Sequence, residues 1–117
     1  MKREFRLTRS TDFKRVRRLG KSYAHPLIVL IALPNEQGES TRLGVVAGRT
    51  VGNAVKRNRA KRLLRAGIQP YLHELPVGWD ILLIARRSLV ESSFQAAQQA
   101  LLNLLRRARL VKNIDDV

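Results

Sequence analysis

The 117-residue sequence contains no cysteine, which excludes disulfide bonds and thiol chemistry. Aromatic residues are few: three Phe, two Tyr and one Trp. No stretch approaches the roughly 20 apolar residues that a helix needs to span a bilayer. The N-terminal residues also lack the apolar core of a signal peptide. We therefore expect a cytoplasmic protein that has no membrane partner.

Acidic residues and histidines are also scarce, and this argues against an active site on the protein. Nine Asp and Glu are scattered along the chain, without the carboxylate cluster that a two-metal nuclease needs. His25 and His73 have no acid–base partner nearby in sequence except Glu74. There is no zinc ligand set, nucleophile elbow or phosphate loop ending in GK[ST]. We predict no catalytic residue and no metal site on the protein.

Positive charge is what the sequence has in excess. The net charge is +14 and the pI is about 11.6, which predicts a polyanionic partner. Residues 42–65 hold eight Lys or Arg and no acidic residue. Gly52 suits a turn, and Asn53 suits a helix N-cap because its side chain can accept a bond from the first turn. A basic helix is predicted from Ala54 onward, with a break or kink near Gly67 and Pro70.

Helical periodicity separates the basic residues of this segment from its apolar ones. Ala60, Leu63 and Leu64 share one arc, with Val55 at its edge. Like charges four residues apart repel, so the opposite arc does not serve stability. Nucleic acid would remove the repulsion, whereas the alternative is a solvated basic face. The polar arc contains Arg57, Asn58, Lys61, Arg62 and Arg65.

The rest of the chain predicts a small α+β domain. Ser10 can cap a first helix, and Gly20 can end it in the left-handed conformation. The two strong strands before the basic helix are expected to form a hairpin. Ser92 with Gln95 fits a capping box for a last helix, whose apolar stripe is Phe94, Ala97, Leu101, Leu105 and Ala108. Strands are predicted at residues 22–24, 27–33, 41–49 and 79–85.

Phe13 has two interpretations. It can pack in the core with Val16, which is the simpler one from sequence alone. Alternatively, an aromatic ring beside arginines can stack on an unpaired base. Gly44 lies on the face of its strand opposite Leu43, where close approach of another chain segment is possible.

These residues carry a resemblance to a known family. The run Val51-Gly52-Asn53-Ala54-Val55, followed by Arg57-Asn58-Arg59 and Lys61-Arg62, resembles the motif of the bacterial ribonuclease P protein subunit. The rest of the chain, from Leu7 to about Leu110, fits that family too. The resemblance implies an α+β two-layer sandwich of order α-β-β-β-α-β-α, with a small mixed sheet. It also implies a left-handed β-α-β crossover, although right-handed connections are the general rule.

The resemblance also implies the partners and the division of labour. In this family the catalytic RNA subunit carries out the chemistry with bound magnesium. The protein binds that RNA and the 5′ leader of precursor tRNA, and no obligate protein partner is implied. The motif helix, which faces the RNA subunit, corresponds here to Asn53, Lys56, Arg57, Asn58, Arg59, Lys61, Arg62 and Arg65.

The leader-binding set is expected to be Phe13, Arg17, Ile31 and Arg49. Phe13 matches an aromatic residue in the cleft between the first helix and the sheet. One turn later Arg17 replaces a second aromatic residue, and some members have tyrosine where this chain has Ile31. The groove is therefore expected to be less aromatic and more cationic than in other members.

Two other functions remain open at the level of sequence. A general RNA-binding or ribosome-associated protein without a catalytic partner would need the same charge and fold. A self-sufficient nuclease is disfavoured because the acid–base constellation is missing. We expect one RNA-binding domain over residues 1–117, with flexible ends at residues 1–6 and 111–117.

Overall fold

The computed structural model describes residues 6–35 and 40–111. Its elements follow the predicted order α-β-β-β-α-β-α, and short 3-10 turns at Arg49–Val51, Gln69–Glu74 and Arg87–Glu91 connect them. The helices and strands are α1 (Ser10–Leu19), β1 (Lys21–Ala24), β2 (Ile28–Pro34), β3 (Arg42–Val46), α2 (Ala54–Ile68), β4 (Trp79–Ala85) and α3 (Phe94–Arg107).

The four strands form one mixed sheet in the order β1-β2-β4-β3. β2 pairs antiparallel with β1 and with β4, while β3 pairs in parallel with β4. The predicted hairpin of β2 with β3 is therefore wrong, because β4 lies between them. β2 and β4 are apolar on both faces, and the two inner positions of the sheet bury both faces of a strand.

Helices cover both faces of this sheet. On one face α2 and α3 enclose the larger core, in which Leu30, Leu64, Leu83 and Leu101 are fully buried. On the other face α1 covers a smaller cluster. The buried members of that cluster are Leu7, Val16, Ile31 and Leu82.

The crossover from β3 through α2 to β4 is left-handed. Consider a strand of L-residues that runs upward, seen with one side chain pointing toward the viewer. The N–H and C=O groups of that residue then point to the viewer's right. Leu43 packs on the α2 side, and its carbonyl accepts a hydrogen bond from Leu7 N–H (2.8 Å) at the outer edge of β3. β4 therefore lies to the left of β3 when α2 is in front. This is the family-implied handedness, against the general preference.

The predicted helix caps are partly wrong. α1 begins at Ser10, and its N-cap is Arg9, which makes no side-chain capping bond. Gly20 is extended (φ −75°, ψ 160°) instead of left-handed. A small residue is needed there because a Cβ would lie 2.6 Å from Ile31 Cγ2. The cap of α3 is Ser93, whose side chain accepts from Ala96 N–H (3.0 Å), whereas the predicted cap Ser92 is the C-cap of the preceding 3-10 turn.

The apolar faces of α2 and α3 also differ at their edges from the prediction. Val55 is 76% exposed and Phe94 is 44% exposed, so neither belongs to the core. Both lie in the first turn of their helices. α2 runs through Gly67 and ends at Ile68, so the predicted break falls between Gly67 and Pro70, where the 3-10 turn begins. A side chain at position 67 would lie 2.6 Å from Leu101 Cδ1, so glycine lets α3 approach α2.

The predicted flexible ends fall only partly within the described residues. Arg6 forms a β-bridge with Leu43, and Val111 is buried, so both have defined places in the fold. Residues 1–5 and 112–117 lie outside the described part of the chain.

Candidate nucleic-acid interface

A sharp turn leads into the basic helix α2. After the 3-10 turn Arg49–Val51, Gly52 adopts φ 138°, a backbone conformation that favours glycine. The Asn53 side chain then accepts a hydrogen bond from Lys56 N–H at 3.0 Å, which confirms the predicted N-cap. Val51 is buried, and it fixes the turn to the core.

The polar arc of α2 lies along one side of the helix, as predicted. Asn58 and Arg62 are exposed, while Arg57, Lys61 and Arg65 are partly buried at the border with the core. Arg59 is also exposed, beyond the arc. The Nε atoms of Arg57 and Arg65 are buried without a hydrogen-bond partner in the described structure. These guanidinium groups are held by packing, and their remaining N–H donors are suited to a phosphate.

Two other arginines of the basic stretches are occupied inside the protein. Arg42 donates from Nε and Nη2 to the two carboxylate oxygens of Asp80 at 3.0 and 2.9 Å. Arg15 donates from Nη2 to Asp80 Oδ2 at 2.5 Å. Burial favours the neutral acid, but the two arginines outweigh it and lower the pKa of Asp80. Arg42 thus belongs to the fold, although it begins the stretch that contains no acidic residue.

A cleft runs between α1 and the edge strand β3, and Phe13 stands in it. One depression of about 210 Å³ lies at the outer edge of β3, and a second of about 350 Å³ lies along α1. Phe13 and Thr8 line both. Phe13 is partly buried. Its ring packs against the smaller core cluster, and it also lines the cleft, so each of the two sequence interpretations describes part of its environment.

The cleft is cationic along its length. Arg6 and Arg65 line the first depression, and Lys14 and Arg17 line the second. Among residues 6–35 and 40–111, no carboxylate lines either depression. A single strand of nucleic acid needs this combination of an aromatic platform and flanking cations.

The other predicted leader residues differ in accessibility. Arg17 is exposed on the cleft, and Arg49 is exposed in the turn before α2. Ile31 is only 8% exposed, because Val16 and Gly20 of the α1 segment pack over it. The side chain of Ile31 therefore offers little surface for the predicted contact with the leader. Val46, which is half-buried on the same face of the sheet, lines the open part of the cleft instead.

Arg65 connects the basic helix to this cleft. The resemblance assigns it to the RNA subunit, yet its side chain lines the same depression as Phe13, across the outer edge of β3. Sequence reasoning missed Arg6, Thr8 and Lys14 as cleft residues. A signal was present for two of them, because residues 1–22 are strongly basic, but the pairing of Arg6 with Leu43 is tertiary.

The histidines and acids do not assemble into a site. Within residues 6–35 and 40–111, no group of three or more His, Asp or Glu could hold a metal ion. Burial and the nearby Arg107 lower the pKa of His25, and its Nδ1 accepts from Leu27 N–H at 3.0 Å. His25 therefore stabilises the β1–β2 turn. Among the described helices none is long and apolar enough to cross a membrane.

Comparison with known proteins gives the same family as the motif. The ribonuclease P family model matches residues 1–109. The ribonuclease P protein component of Herpetosiphon aurantiacus is 36% identical over 110 residues, which cover 94% of this chain and 89% of the relative. That of Brevibacillus brevis is 35% identical over 112 residues, covering 96% and 89%.

Solved structures agree in fold. The RNase P protein of Staphylococcus aureus superimposes with a TM-score of 0.83 at 28% identity, covering 92% of this chain and 98% of that one. The RNase P protein of Thermotoga maritima gives a TM-score of 0.75 at 35% identity, covering 87% and 96%. With its motif helix, its cationic cleft and these relatives, the chain belongs to the ribonuclease P protein family.

Proposed function

We propose that this chain binds the catalytic RNA of ribonuclease P and the 5′ leader of precursor tRNA, and so assists removal of the leader in the cytoplasm. The observation that carries this proposal is the cleft around Phe13. Its described lining contains several cations and no carboxylate, and Arg65 joins it to α2. A large structured RNA occupies the exposed face of α2, and a single strand occupies the cleft.

The benefit to the reaction is electrostatic. A catalytic RNA and a precursor tRNA are both polyanions, and they repel each other. A small protein of net charge +14 between them reduces that repulsion and lowers the magnesium concentration needed for folding and binding. Guanidinium groups suit this role because they bind phosphate bidentately and stack on bases.

The phosphodiester chemistry is assigned to the RNA subunit, with magnesium bound mainly by the RNA. Within the described residues, no group of three or more His, Asp or Glu could hold the ion. The protein residues bind and orient: α2 holds the RNA subunit, while Phe13, Arg17, Arg49 and Arg65 hold the leader. Hydrolysis leaves the mature 5′-phosphate of tRNA.

The test is cleavage of a 5′-extended precursor tRNA at low magnesium. Four samples are compared: buffer, protein alone, the organism's ribonuclease P RNA alone, and both together. We expect cleavage at the mature 5′ end only with both present. Cleavage by protein alone would place an active site on the chain and contradict the proposal. An unchanged rate on adding protein would instead favour a general RNA-binding protein.

A further inference from the structure

Phe13 sits directly on the backbone of β3 at Gly44. A Cβ at Gly44 would lie 2.8 Å from Cε1 and Cζ of the Phe13 ring, and 3.0 Å from Leu82 Cδ2. Real Cβ atoms essentially never approach other heavy atoms below 3.0 Å, so any side chain at position 44 displaces the ring. Because the ring lines both depressions of the cleft, Gly44 controls where the aromatic platform lies.

Next to this contact, an ion-pair cluster joins α1, β3 and β4, the elements that contain Phe13, Gly44 and Leu82. Asp80 at the start of β4 is fully buried, and it binds Arg42 of β3 and Arg15 of α1. Asp12 of α1 adds contacts to Arg15 (3.3 Å) and to Arg42 (3.8 Å). Arg15 and Arg42 are each two residues from Phe13 and Gly44, respectively. The cluster therefore fixes α1 against β3 at the position where the ring meets the glycine.

Stability alone does not explain such a cluster. Desolvation offsets much of the attraction in a buried ion pair, and apolar residues of similar volume are often as stabilising or more so. A bidentate arginine does provide a fixed geometry between two elements. The cluster also neutralises two arginines beside the cleft, so that phosphate is drawn to Arg17, Lys14 and Arg65 instead.

We propose that Gly44 and the Asp80–Arg15–Arg42 cluster are a positioning unit for Phe13, and that this unit determines how tightly the leader strand is held. The inference rests on the proposed function. Gly44 lines the first depression beside the Phe13 ring, and the charged members of the unit are paired with one another. They act through the position of α1 and of the Phe13 ring.

The experiment compares Gly44→Ala with Gly48→Ala in the holoenzyme reconstituted with the organism's ribonuclease P RNA. Gly48 is the matched control because a Cβ there would meet no atom within 4 Å. The readout is the ratio of affinities for leader-bearing precursor tRNA and for mature tRNA. We expect Gly44→Ala to lower this ratio about fivefold or more, the lower range for one base–aromatic stack. Gly48→Ala should keep the wild-type ratio.

Two further variants separate positioning from general stability. Asp80→Asn should lower the ratio of affinities for precursor and mature tRNA, as Gly44→Ala does. The affinity of the Asp80→Asn protein for the RNA subunit should stay at the wild-type value. Leu101→Ala destabilises the opposite face of the sheet and should leave the ratio unchanged. Thermal unfolding of each variant defines a temperature at which all are folded. If Asp80→Asn does not fold, the two glycine variants decide the question.

The outcomes separate a failure of the positioning role from a failure of the proposed leader binding. A wild-type ratio of one would overturn the proposed leader binding, and with it the positioning role. A wild-type ratio above one that persists in Gly44→Ala would overturn the positioning role alone. Equal losses in Gly44→Ala and Leu101→Ala would also overturn it, since the effect would then follow stability.

Discussion

Arginine side chains of one basic stretch have different roles in this protein, and their contacts decide which. Arg42 is bound to a buried carboxylate, so its charge holds β3 and β4 to α1. Arg62 is exposed on α2 and has no ion pair within the described residues, so its charge is available to a phosphate. Arg65 is intermediate: its side chain lines the cleft, while its Nε is buried and has no hydrogen-bond partner among the described residues.

The buried carboxylate makes a prediction about acid stability. The pKa of Asp80 is lower in the folded chain than its ordinary value of 3.8, because Arg42 and Arg15 outweigh the effect of burial. The unfolded chain thus binds more protons between the two pKa values, and stability rises with pH across that interval. The contribution is complete above about pH 4 and is lost as the pH falls through the folded-state pKa.

Urea unfolding between pH 6 and pH 3 measures this contribution. We expect Asp80→Asn to lower the free energy of unfolding by about 1.5–3 kcal/mol at pH 6, the range for a lost hydrogen bond to a charged group, because the side chains of Arg15 and Arg42 stay 34% and 30% exposed to water. The difference from the wild type should shrink on acidification. A difference that stays constant to pH 3 would show that the charge of Asp80 contributes nothing.

Among the structural elements, the contact between α2 and α3 depends on the absence of a side chain. Gly67 lies in the interior of α2, where glycine is ordinarily about 1 kcal/mol less favourable than alanine. It is buried against Leu101, which is itself fully buried and has little room to move. Tertiary packing therefore outweighs helix propensity at this position.

A double-mutant cycle tests this balance. Gly67→Ala alone should destabilise the protein by about 1–2 kcal/mol, because overpacking outweighs the gain in helix propensity. Leu101→Ala alone should cost about 2–5 kcal/mol. In the Leu101→Ala background, Gly67→Ala should become stabilising by up to about 1 kcal/mol, since the space is then free.

Chemical denaturation of the four proteins gives the coupling energy. If the effects of Gly67→Ala and Leu101→Ala on the free energy of unfolding were additive, a methyl group at position 67 would not clash with the Leu101 side chain. A stabilising effect of Gly67→Ala in the wild-type background would contradict the steric argument directly.

At the scale of the whole molecule, the fold gathers cations from distant stretches around the outer edge of β3. Residues near the N-terminus reach the cleft because Leu7 bonds to β3, and Arg65 reaches it from α2 past the same edge. The left-handed crossover is what sets α2 on the opposite face of the sheet from α1 while keeping both beside β3. The two predicted RNA surfaces are therefore adjacent.

Salt dependence should identify which arginines contact the RNA subunit. Arg62→Ala should lower the slope of log K against log salt by roughly 0.7–0.9, the value for one lost phosphate contact. Arg42→Gln removes the same charge but should leave the slope unchanged, because Arg42 is neutralised within the protein. Binding of the isolated RNA subunit is titrated between 50 and 200 mM salt, a range of the order in which such slopes are measured. Equal slopes in both variants would mean that net charge alone governs binding.

Much of the architecture followed from local chemistry, because it depends on residues close in sequence. Asn53 caps α2 with the predicted bond, and Gly52 makes the predicted turn. The helical period and the polarity of the side chains predicted that Ala60 and Leu64 face the core and that Arg62 faces away from it, as the structure has them. The long motif from Val51 to Arg62 gave the family. The basic composition predicted a polyanionic partner, and membership of this family implies an RNA partner.

Tertiary structure alone decided the rest. Local patterns do not encode which strands pair: they predict β3 beside β2, whereas β4 lies between them in the sheet. They do not show that Asp80 neutralises Arg42, 38 positions earlier, nor that Phe13 meets Gly44. Burial of Ile31 under α1 follows from the docking of that helix. By itself the sequence determined the composition of the interface and its motif, whereas long-range packing decided which of those residues face a ligand.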